Sequence, residues 1–138
     1  MNRDIKFRAW VKDRKAIFEV VLINYVTKKV TYLLERVGHL LNVRNDKFND
    51  IELMQYTGLK DKNEKEIYEG DILFESFGER YYKVVFENGS FRAEFEGDFE
   101  EHSFDLIDVV VQGCKIVGNI YENPELLSEI EWMKNIQR

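Results

Sequence analysis

Apolar and polar residues alternate with a period of two along much of this chain, and that period is typical of half-buried strands. The first example runs from Ile5 to Lys12, where every second residue is apolar and the others are basic or Trp10. Polar breaks then separate further apolar runs at residues 16–23 and 30–34. A chain of 138 residues has room for one domain, or for two small ones that share a core. We therefore expect a mainly β fold of the β-rich α+β type.

The residues on either side of Asn88-Gly89 give the strongest local signal. Asn-Gly is the preferred central pair of a two-residue type I′ turn, and apolar residues alternate before and after it. A two-residue loop fixes the register of the two strands. The predicted opposing pairs are Phe86 with Phe91, Val84 with Ala93, Tyr82 with Phe95 and, on the other face, Lys83 with Glu94.

The patterns of apolar and polar residues in the other segments are less regular. Residues 35–50 are the hardest to interpret, because Val37, Leu40 and Leu41 have the spacing of a helical turn, whereas Gly38 and many Asn and Asp residues favour a loop. After this stretch, Leu106–Val111 and Lys115–Glu122 are predicted to be strands.

A helix is predicted to begin at Asn123. Asparagine is a favourable N-cap, Pro124 fits the first helical position, and Glu125 suits the first turn of a helix. Apolar residues then recur at helical spacing, so we expect the helix to extend to the last residue.

Composition excludes several classes of protein. The chain is 44% hydrophobic and 14% aromatic, which is too much core material for a disordered protein. It contains no apolar run of 18 residues and begins with charged residues, so we expect a soluble protein of the host cytoplasm with no membrane partner. Its only cysteine, Cys114, excludes an internal disulfide and a cysteine-rich zinc site, and we expect a buried, inert thiol.

We predict no catalytic residue, no metal site and no cofactor. The acidic run from Glu94 to Glu101 places carboxylates along one strand about 7 Å apart, which is too open for a calcium or magnesium cage. A solvated acidic face is the simpler interpretation. His39 and His102 lie in no recognisable hydrolase or metalloprotease pattern. The sequence therefore favours a protein that is not an enzyme.

Charge is distributed unevenly along the chain. Residues 1–69 contain 14 Lys+Arg and 11 Asp+Glu, whereas residues 70–138 contain 6 and 15. Nucleic-acid binding needs a basic surface, which only the first half offers. The candidate nucleic-acid contacts are Arg3, Lys6, Arg8, Lys60, Lys62 and Lys65. Basic residues on the solvated face of a strand are the alternative interpretation.

Three segments resemble the YopX family of bacteriophage and prophage proteins. They are IKFRAW at residues 5–10, IELMQYTGLKDKNEKEIYEGDI at residues 51–72 and IVGNIYENPELL at residues 116–127. The segments occur in the family's order and span nearly the whole chain. The resemblance implies a small phage-encoded protein of unestablished molecular function, whose C-terminal part is similar to SH3-type barrels.

The motif residues have physical interpretations of their own. Gly58 and Gly70 predict chain reversals, residues 60–65 predict a polar loop, and Gly118-Asn119 predicts a bulge within a strand. We interpret the glycines mainly as residues that hold the fold, with ligand contact as the alternative. The candidate family-motif surface consists of Tyr56, Thr57, Gly58, Lys60, Tyr68, Gly70, Asp71, Gly118 and Asn119.

Together these patterns predict one compact unit with three regions. Residues 1–50 would form an N-terminal strand region, residues 51–122 an SH3-like β-barrel, and residues 123–138 a C-terminal helix. The leading hypothesis is a non-enzymatic phage accessory protein that binds a protein partner or a second copy of itself. The alternative is nucleic-acid binding through the basic strand and the lysine-rich loop, and a third hypothesis has the acidic half mimic a phosphate backbone.

Overall fold

The computed structural model describes residues 4–96 and 101–127 and shows a mainly β protein with antiparallel strand pairs. The chain divides into two units, Met1–Tyr56 and Thr57–Arg138. The boundary falls within a long strand, since the strand that begins at Ile51 continues to Lys60.

The first unit is a meander of antiparallel strands. The strands are β1 (Phe7–Val11), β2 (Ala16–Asn24), β3 (Lys29–Val37), β4 (Leu40–Lys47) and β5 (Ile51–Lys60), with a short 3-10 turn at Phe48–Asp50. Their order in the sheet is β4-β3-β2-β1-β5, so β1 lies between β2 and β5. The strands β1 to β4 pair sequentially, as the short polar breaks between the apolar runs favour, whereas β5 pairs with β1 and not with β4.

One face of this sheet carries the core of the first unit. Fully buried side chains from β1 and β3 alternate along their strands, as the period-two pattern predicts. The buried residues are Ala9, Val11, Val30, Tyr32 and Ile51. The nearly continuous apolar run of β2 would suit a strand covered on both sides, but β2 is not covered on both sides, since Val21 is 43% and Leu22 is 55% exposed.

A 3-10 turn forms at Phe48–Asp50, whereas residues 35–47 form neither a loop nor a helical turn. They complete a hairpin in which Gly38 and His39 form the two-residue turn and Val37 faces Leu40. Gly38 supplies the positive φ of +60° that a short turn requires. The polar residues of β4 are accommodated because side chains such as Asn45 bond across to β3. Many Asn and Asp residues therefore do not exclude a strand that has β3 as its neighbour.

In the part that the structure describes, the second unit contains a five-stranded antiparallel sheet and a short helix. Its elements are β6 (Glu66–Tyr68), β7 (Asp71–Glu75), β8 (Arg80–Glu87), β9 (Ser90–Glu96), β10 (Glu101–Asp105), α1 (Leu106–Gln112) and β11 (Lys115–Asn119). The order in the sheet is β10-β9-β8-β7-β11, while β6 lies beside β5. The described strand pairs form no closed barrel, so the SH3-like barrel is not confirmed.

The hairpin at Asn88-Gly89 has the predicted register. Phe86 faces Phe91, Val84 faces Ala93 and Lys83 faces Glu94. The φ angles of the turn residues are 53° and 83°, both in the left-handed region that a type I′ turn requires. The predicted core face is buried at Tyr82, Val84 and Ala93, but Phe86 at the end of the hairpin is 52% exposed.

The strand predicted at Leu106–Val111 is wrong, because these residues belong to α1. Leu106 and Val109 lie one helical turn apart and both are buried in the core of the second unit. Burial of this pair outweighs the strand preference of the valines. The next predicted strand exists as β11 but ends at Asn119, and its register shifts between Ile116 and Gly118, which confirms the bulge.

A helical turn at residues 125–127 lies within the predicted C-terminal helix. The N–H of Leu126 donates to the carbonyl of Asn123 at 3.1 Å, and the N–H of Leu127 donates to the carbonyl of Pro124 at 3.2 Å. The remainder of the predicted helix, residues 128–138, lies outside the described residues.

Tyr32, in the core of the first unit, makes the stability of the fold depend on pH in the alkaline range. Its side chain is fully buried, and its hydroxyl donates a hydrogen bond of 2.5 Å to Asp46 Oδ2. Burial, followed by the hydrogen bond and the negative charge of Asp46, raises the pKa of Tyr32 from 10.0 to about 12. The neutral hydroxyl therefore stabilises the fold fully below pH 10.0, and this stabilisation is lost as the pH rises towards 12.

We expect Tyr32→Phe to reduce the sensitivity of the protein to alkali. The loss of unfolding free energy between about pH 9 and pH 12 should be smaller in the variant by about 2 kcal/mol, because two units of pKa correspond to about 3 kcal/mol and the folded hydroxyl is only about half ionised at pH 12. Urea unfolding of both proteins at several pH values measures this quantity. Equal losses in the two proteins would show that Tyr32 does not titrate as described.

Candidate functional site

The loop that connects β5 to β6 is organised by one buried carboxylate. Asp61 is 4% exposed, and its Oδ1 accepts hydrogen bonds from the N–H groups of Asn63 at 2.8 Å and Lys65 at 2.9 Å. Its Oδ2 accepts a third bond, of 2.9 Å, from the N–H of Ile116 in β11. The polar loop of the KDKNEK motif is thus tied at its base to a strand distant in sequence.

These hydrogen bonds decide the charge state of Asp61. Burial by itself would raise the pKa of this carboxyl, but the N–H groups of Ile116, Lys65 and Asn63 outweigh burial and hold the pKa below its ordinary value. The carboxylate is therefore charged at neutral pH and acts as an acceptor only. No proton is available from it for acid catalysis.

Cys114 lies in the same region and is equally unreactive. It is 1% exposed, and its carbonyl accepts a hydrogen bond of 2.9 Å from the N–H of Lys62. Burial, followed by the charges of Asp61 and Glu75, raises the pKa of Cys114 to about 11. A thiol in this environment is not a nucleophile at neutral pH.

The turn between β6 and β7 is held by Asp71 and Gly70. Asp71 is 1% exposed and its Oδ2 accepts a hydrogen bond of 2.8 Å from the N–H of Tyr68. Gly70 has a φ of +84°, donates its N–H to the carbonyl of Val84 and accepts from the N–H of Ile120, each at 2.8 Å. The glycine thus lets the chain reverse while both of its backbone groups are satisfied.

The GNIYEN motif after β11 is a third closed turn. The side-chain carbonyl of Asn119 accepts from the N–H groups of Tyr121 at 3.0 Å and Glu122 at 2.8 Å, and Asn123 Oδ1 accepts from the N–H of Asn119 at 3.2 Å. A Cβ at Gly118 would lie 2.6 Å from Asn123 Oδ1 and 2.9 Å from Asn123 Cβ, so the Asn123 side chain would have to move. The motif therefore satisfies its own backbone, which is a structural reason for its residue types.

The nine residues of the candidate family-motif surface are placed differently from one another. Tyr56, Gly70, Asp71 and Asn119 are buried. Thr57, Tyr68 and Gly118 are half-buried, and only Gly58 and Lys60 are exposed. The four buried residues offer no surface to a partner. Gly58 was predicted to mark a chain reversal, but it lies within β5 at a φ of +86°.

The candidate nucleic-acid contacts divide between the two units. Lys6 and Arg8 belong to the first unit, where Lys6 Nζ lies 5.5 Å from the ring of Tyr56. Lys60, Lys62 and Lys65 are exposed residues of the second unit, at the loop that Asp61 organises. Arg3 lies outside the described residues.

Sequence reasoning missed an exposed apolar surface on the first unit. Opposing residues in antiparallel strands share a face, so the pairs Leu22–Thr31, Thr31–Asn45 and Leu33–Val43 place Leu22, Leu33 and Val43 on one side of the sheet, together with Leu41. We call these four residues the outer surface. Leu22 is 55%, Leu41 47% and Val43 47% exposed, and Leu33 is half-buried.

The outer surface has an apolar centre and polar surroundings. On β3, the hydroxyl of Thr31 bonds to Asn45, and Arg36 pairs with Glu19 at 3.8 Å. The alternation of apolar residues along β4 is the signal that would have revealed the surface. The Asn and Asp side chains between positions 42 and 46 instead favoured the prediction of a loop.

Aromatic rings also line one part of the second unit. Phe95 stacks on His102 at 4.9 Å and on Phe104 at 5.8 Å, and the Arg80 guanidinium lies 4.8 Å from the Phe95 ring. Phe104 is 38% exposed. Elsewhere, Phe77 is 97% exposed in the turn that Glu75 holds by accepting from the N–H of Gly78 at 2.8 Å.

The described residues form neither a metal-binding cluster nor a membrane-spanning helix. Residues 4–96 and 101–127 contain no group of three or more His, Cys, Asp or Glu side chains arranged to hold a metal ion. No helix in the described part of the chain is long and apolar enough to cross a membrane. Part of the acidic run, residues 97–100, lies outside the described residues.

A known protein family matches most of the chain. The model of the family described as YopX protein matches residues 6–128. The chain belongs to the YopX family. The match includes the second and third motifs and all of the first motif except Ile5, so the closed turns at Asp61, Gly70 and Asn119 lie within the part that matches the family.

Solved structures agree with this assignment. Protein EF1440 from Enterococcus faecalis is similar to this YopX family member with a TM-score of 0.63 and 29% identity, over 91% of this chain and 99% of that one. Protein yopX from Bacillus subtilis is similar in fold, with a TM-score of 0.56 and 20% identity over 88% and 97% of the two chains. No curated protein matches the chain. Neither structure's name states an activity, so the comparisons establish family and fold.

We expect Asp61→Asn to destabilise the protein by about 1–3 kcal/mol, because an amide NH₂ would replace one acceptor oxygen and leave a backbone N–H without a partner. The depressed pKa adds a second signature. The stabilisation from the wild-type carboxylate is present above the ordinary pKa and is lost as the pH falls through the lower, folded value. The variant should therefore lose less stability in acid than the wild type.

Urea unfolding at neutral and acid pH measures both effects, and Asp108→Asn on the exposed side of α1 is the matched control. If Asp61→Asn and Asp108→Asn behaved alike, Asp61 would not hold the loop.

Proposed function

We propose that this YopX family member is a non-enzymatic phage accessory protein of the host cytoplasm that acts by binding another protein. The outer surface of the first unit is the proposed contact. The observation that carries the proposal is its exposure: three large apolar side chains, Leu22 on β2 and Leu41 and Val43 on β4, are each about half exposed on the two strands that flank β3. Exposed apolar residues that form a contiguous patch with a polar rim are typical of a protein-binding surface.

The contrast with the motif residues supports the same proposal. The family motifs of the second unit direct their polar groups into backbone hydrogen bonds, as Asp61 and Asn119 do. Those groups are already satisfied and have little left to offer to a ligand. The outer surface is the reverse case, since its apolar side chains lack contacts that a partner would supply.

The second unit is proposed to be an SH3-like module. In SH3-type folds, four strands form a meander and a short helix follows them. A fifth strand then pairs with the first strand of the meander. The order β10-β9-β8-β7-β11 with α1 before β11 supports this proposal. Fold similarity does not define a ligand, so the proposed binding site is argued from the outer surface alone.

Nucleic-acid binding stays a prediction from the sequence. Lys60, Lys62 and Lys65 are exposed and lie near one another in the chain, which is the feature that favours it. Against it, the chain has a net charge of −6. A titration with single- and double-stranded DNA and RNA at low salt would detect such binding, which should weaken steeply as salt is added.

The test of the proposed function is a double variant, Leu22→Lys with Val43→Lys. Both positions are exposed, so the fold should persist while the apolar centre of the surface is lost. Its matched control is Phe77→Lys with Val111→Lys, two apolar side chains of the second unit that are 97% and 76% exposed.

We expect the wild type and the control to retain the same bound protein, whether another protein or a second copy, in chemical cross-linking of cells that express them. The outer-surface variant should retain at least about tenfold less, because truncation of a central apolar contact commonly costs 1–2 kcal/mol or more. Thermal unfolding verifies that all three proteins are folded. Equal retention by the two double variants would contradict the proposal.

A further inference from the structure

The strand β4 is the edge of its sheet. It is eight residues long and pairs with β3 on one side, and no strand among residues 4–96 and 101–127 pairs with its other side. An edge strand presents unpaired N–H and C=O groups, which proteins usually protect with charge, proline or a covering element. In β4 the exposed residues at this edge include Leu40 at 74%, Leu41 at 47% and Val43 at 47%. The edge is therefore both apolar and open.

We propose that the partner on this edge is a second copy of the chain, which adds its own β4 in antiparallel orientation about a two-fold axis at Asn42. This inference rests on the proposed function, because it identifies the protein that the outer surface binds. The argument depends on which registers the sequence of β4 allows.

Backbone geometry restricts the registers. In a two-residue hairpin the residues next to the turn, here Val37 and Leu40, form a hydrogen-bonded pair, so even-numbered residues of β4 direct their N–H and C=O groups towards β3. The N–H of Phe48, which donates to the carbonyl of Lys28 on β3 at 2.9 Å, follows the same alternation. Odd-numbered residues then face the open edge. A second β4 must oppose odd residues with odd residues, so the two-fold axis must pass through a residue and not between two residues.

Charge and polarity select among the remaining registers. An axis at Arg44 would place two arginines opposite each other, and an axis at Asp46 would do the same with two aspartates. Like charges directly opposite each other are destabilising. An axis at Asn45 would oppose Val43 with Lys47, and an axis at Val43 would oppose Leu41 with Asn45.

The axis at Asn42 opposes the apolar residues of the outer surface with one another, and it places Leu40 opposite Arg44 on the other face of the sheet. It places Leu41 opposite Val43 of the second copy, and Val43 opposite Leu41, so apolar side chains meet on the outer surface. Leu33, which faces Val43 within one copy, extends this contact on each side. The two Asn42 side chains meet on the other face of the sheet, where each Nδ2 donates one N–H to Glu35 Oε2 of its own copy at 3.3 Å and the amide keeps a second N–H and its Oδ1 for the other copy. The outer surfaces of the two copies thereby join into one apolar strip.

The test is a disulfide formed between copies of Asn42→Cys. Non-hydrogen-bonded pairs in antiparallel sheets have Cα atoms about 4.5 Å apart, which is within the range that a disulfide spans. Asn45→Cys is the matched control, since the proposed register would separate its two copies by about 20 Å. The native thiol does not interfere, because Cys114 is 1% exposed and its pKa is raised to about 11.

We expect Asn42→Cys to form a covalent dimer under mild oxidation at least about tenfold faster than Asn45→Cys, and the wild type to form none. The register would be overturned if Asn45→Cys cross-linked faster than Asn42→Cys. It would also be overturned if Asn42→Cys did not cross-link although sedimentation showed the protein to be dimeric.

Sedimentation of the wild type and of Val43→Lys separates the inference from the proposed function. A dimeric wild type and a monomeric variant support the inference. A monomeric wild type that still retains another protein through the outer surface would overturn the second copy as partner and leave the proposed function standing. A monomeric wild type with no retention that depends on the outer surface would overturn both.

Discussion

The second unit depends on a buried carboxylate that accepts three backbone hydrogen bonds. An ionised group removed from water is costly unless other groups replace its hydration, and Asp61 obtains that replacement from the N–H groups of Asn63, Lys65 and Ile116. One side chain therefore shapes the loop and joins it to β11. Asp71 and Asn119 repeat the same solution at two other turns, so irregular backbone in this unit is fixed by side-chain acceptors.

This arrangement separates the residues that hold the fold from those proposed to bind. A motif such as YTGLKDKN attracts a functional interpretation because it is long and rich in polar residues. Its central carboxylate is nevertheless buried and fully engaged, and the nearby thiol of Cys114 is inert. The exposed, unsatisfied groups are the apolar side chains of β2–β4 and the open edge of β4. For this chain, recognition is thus argued from ordinary leucines and valines and not from the most distinctive motifs.

Local chemistry decided which elements the sequence could predict. The hairpin at Asn88-Gly89 was predictable in register because the turn residues and the alternation of both strands agree. By contrast, α1 has strand-forming valines and becomes helical only because Leu106 and Val109 reach a core that local sequence does not reveal. The hairpin of β3 and β4 was not predicted, because the polar residues of β4 have partners on β3 that the local sequence does not show. Asp61 was missed in the same way, since its third hydrogen bond comes from a residue 55 positions away.

Native-state amide hydrogen exchange tests the division between holding and binding residues most directly. The account predicts that the amides of Asn63, Lys65 and Ile116 exchange slowly at every protein concentration, because they open only when the second unit unfolds. The odd-numbered amides of residues 41–47, which face the open edge of β4, should exchange rapidly in dilute protein and slow down when the outer surface is occupied. Rapid exchange of the loop amides in folded protein, with occupancy-dependent protection at residues 61–71 instead of 40–47, would contradict it.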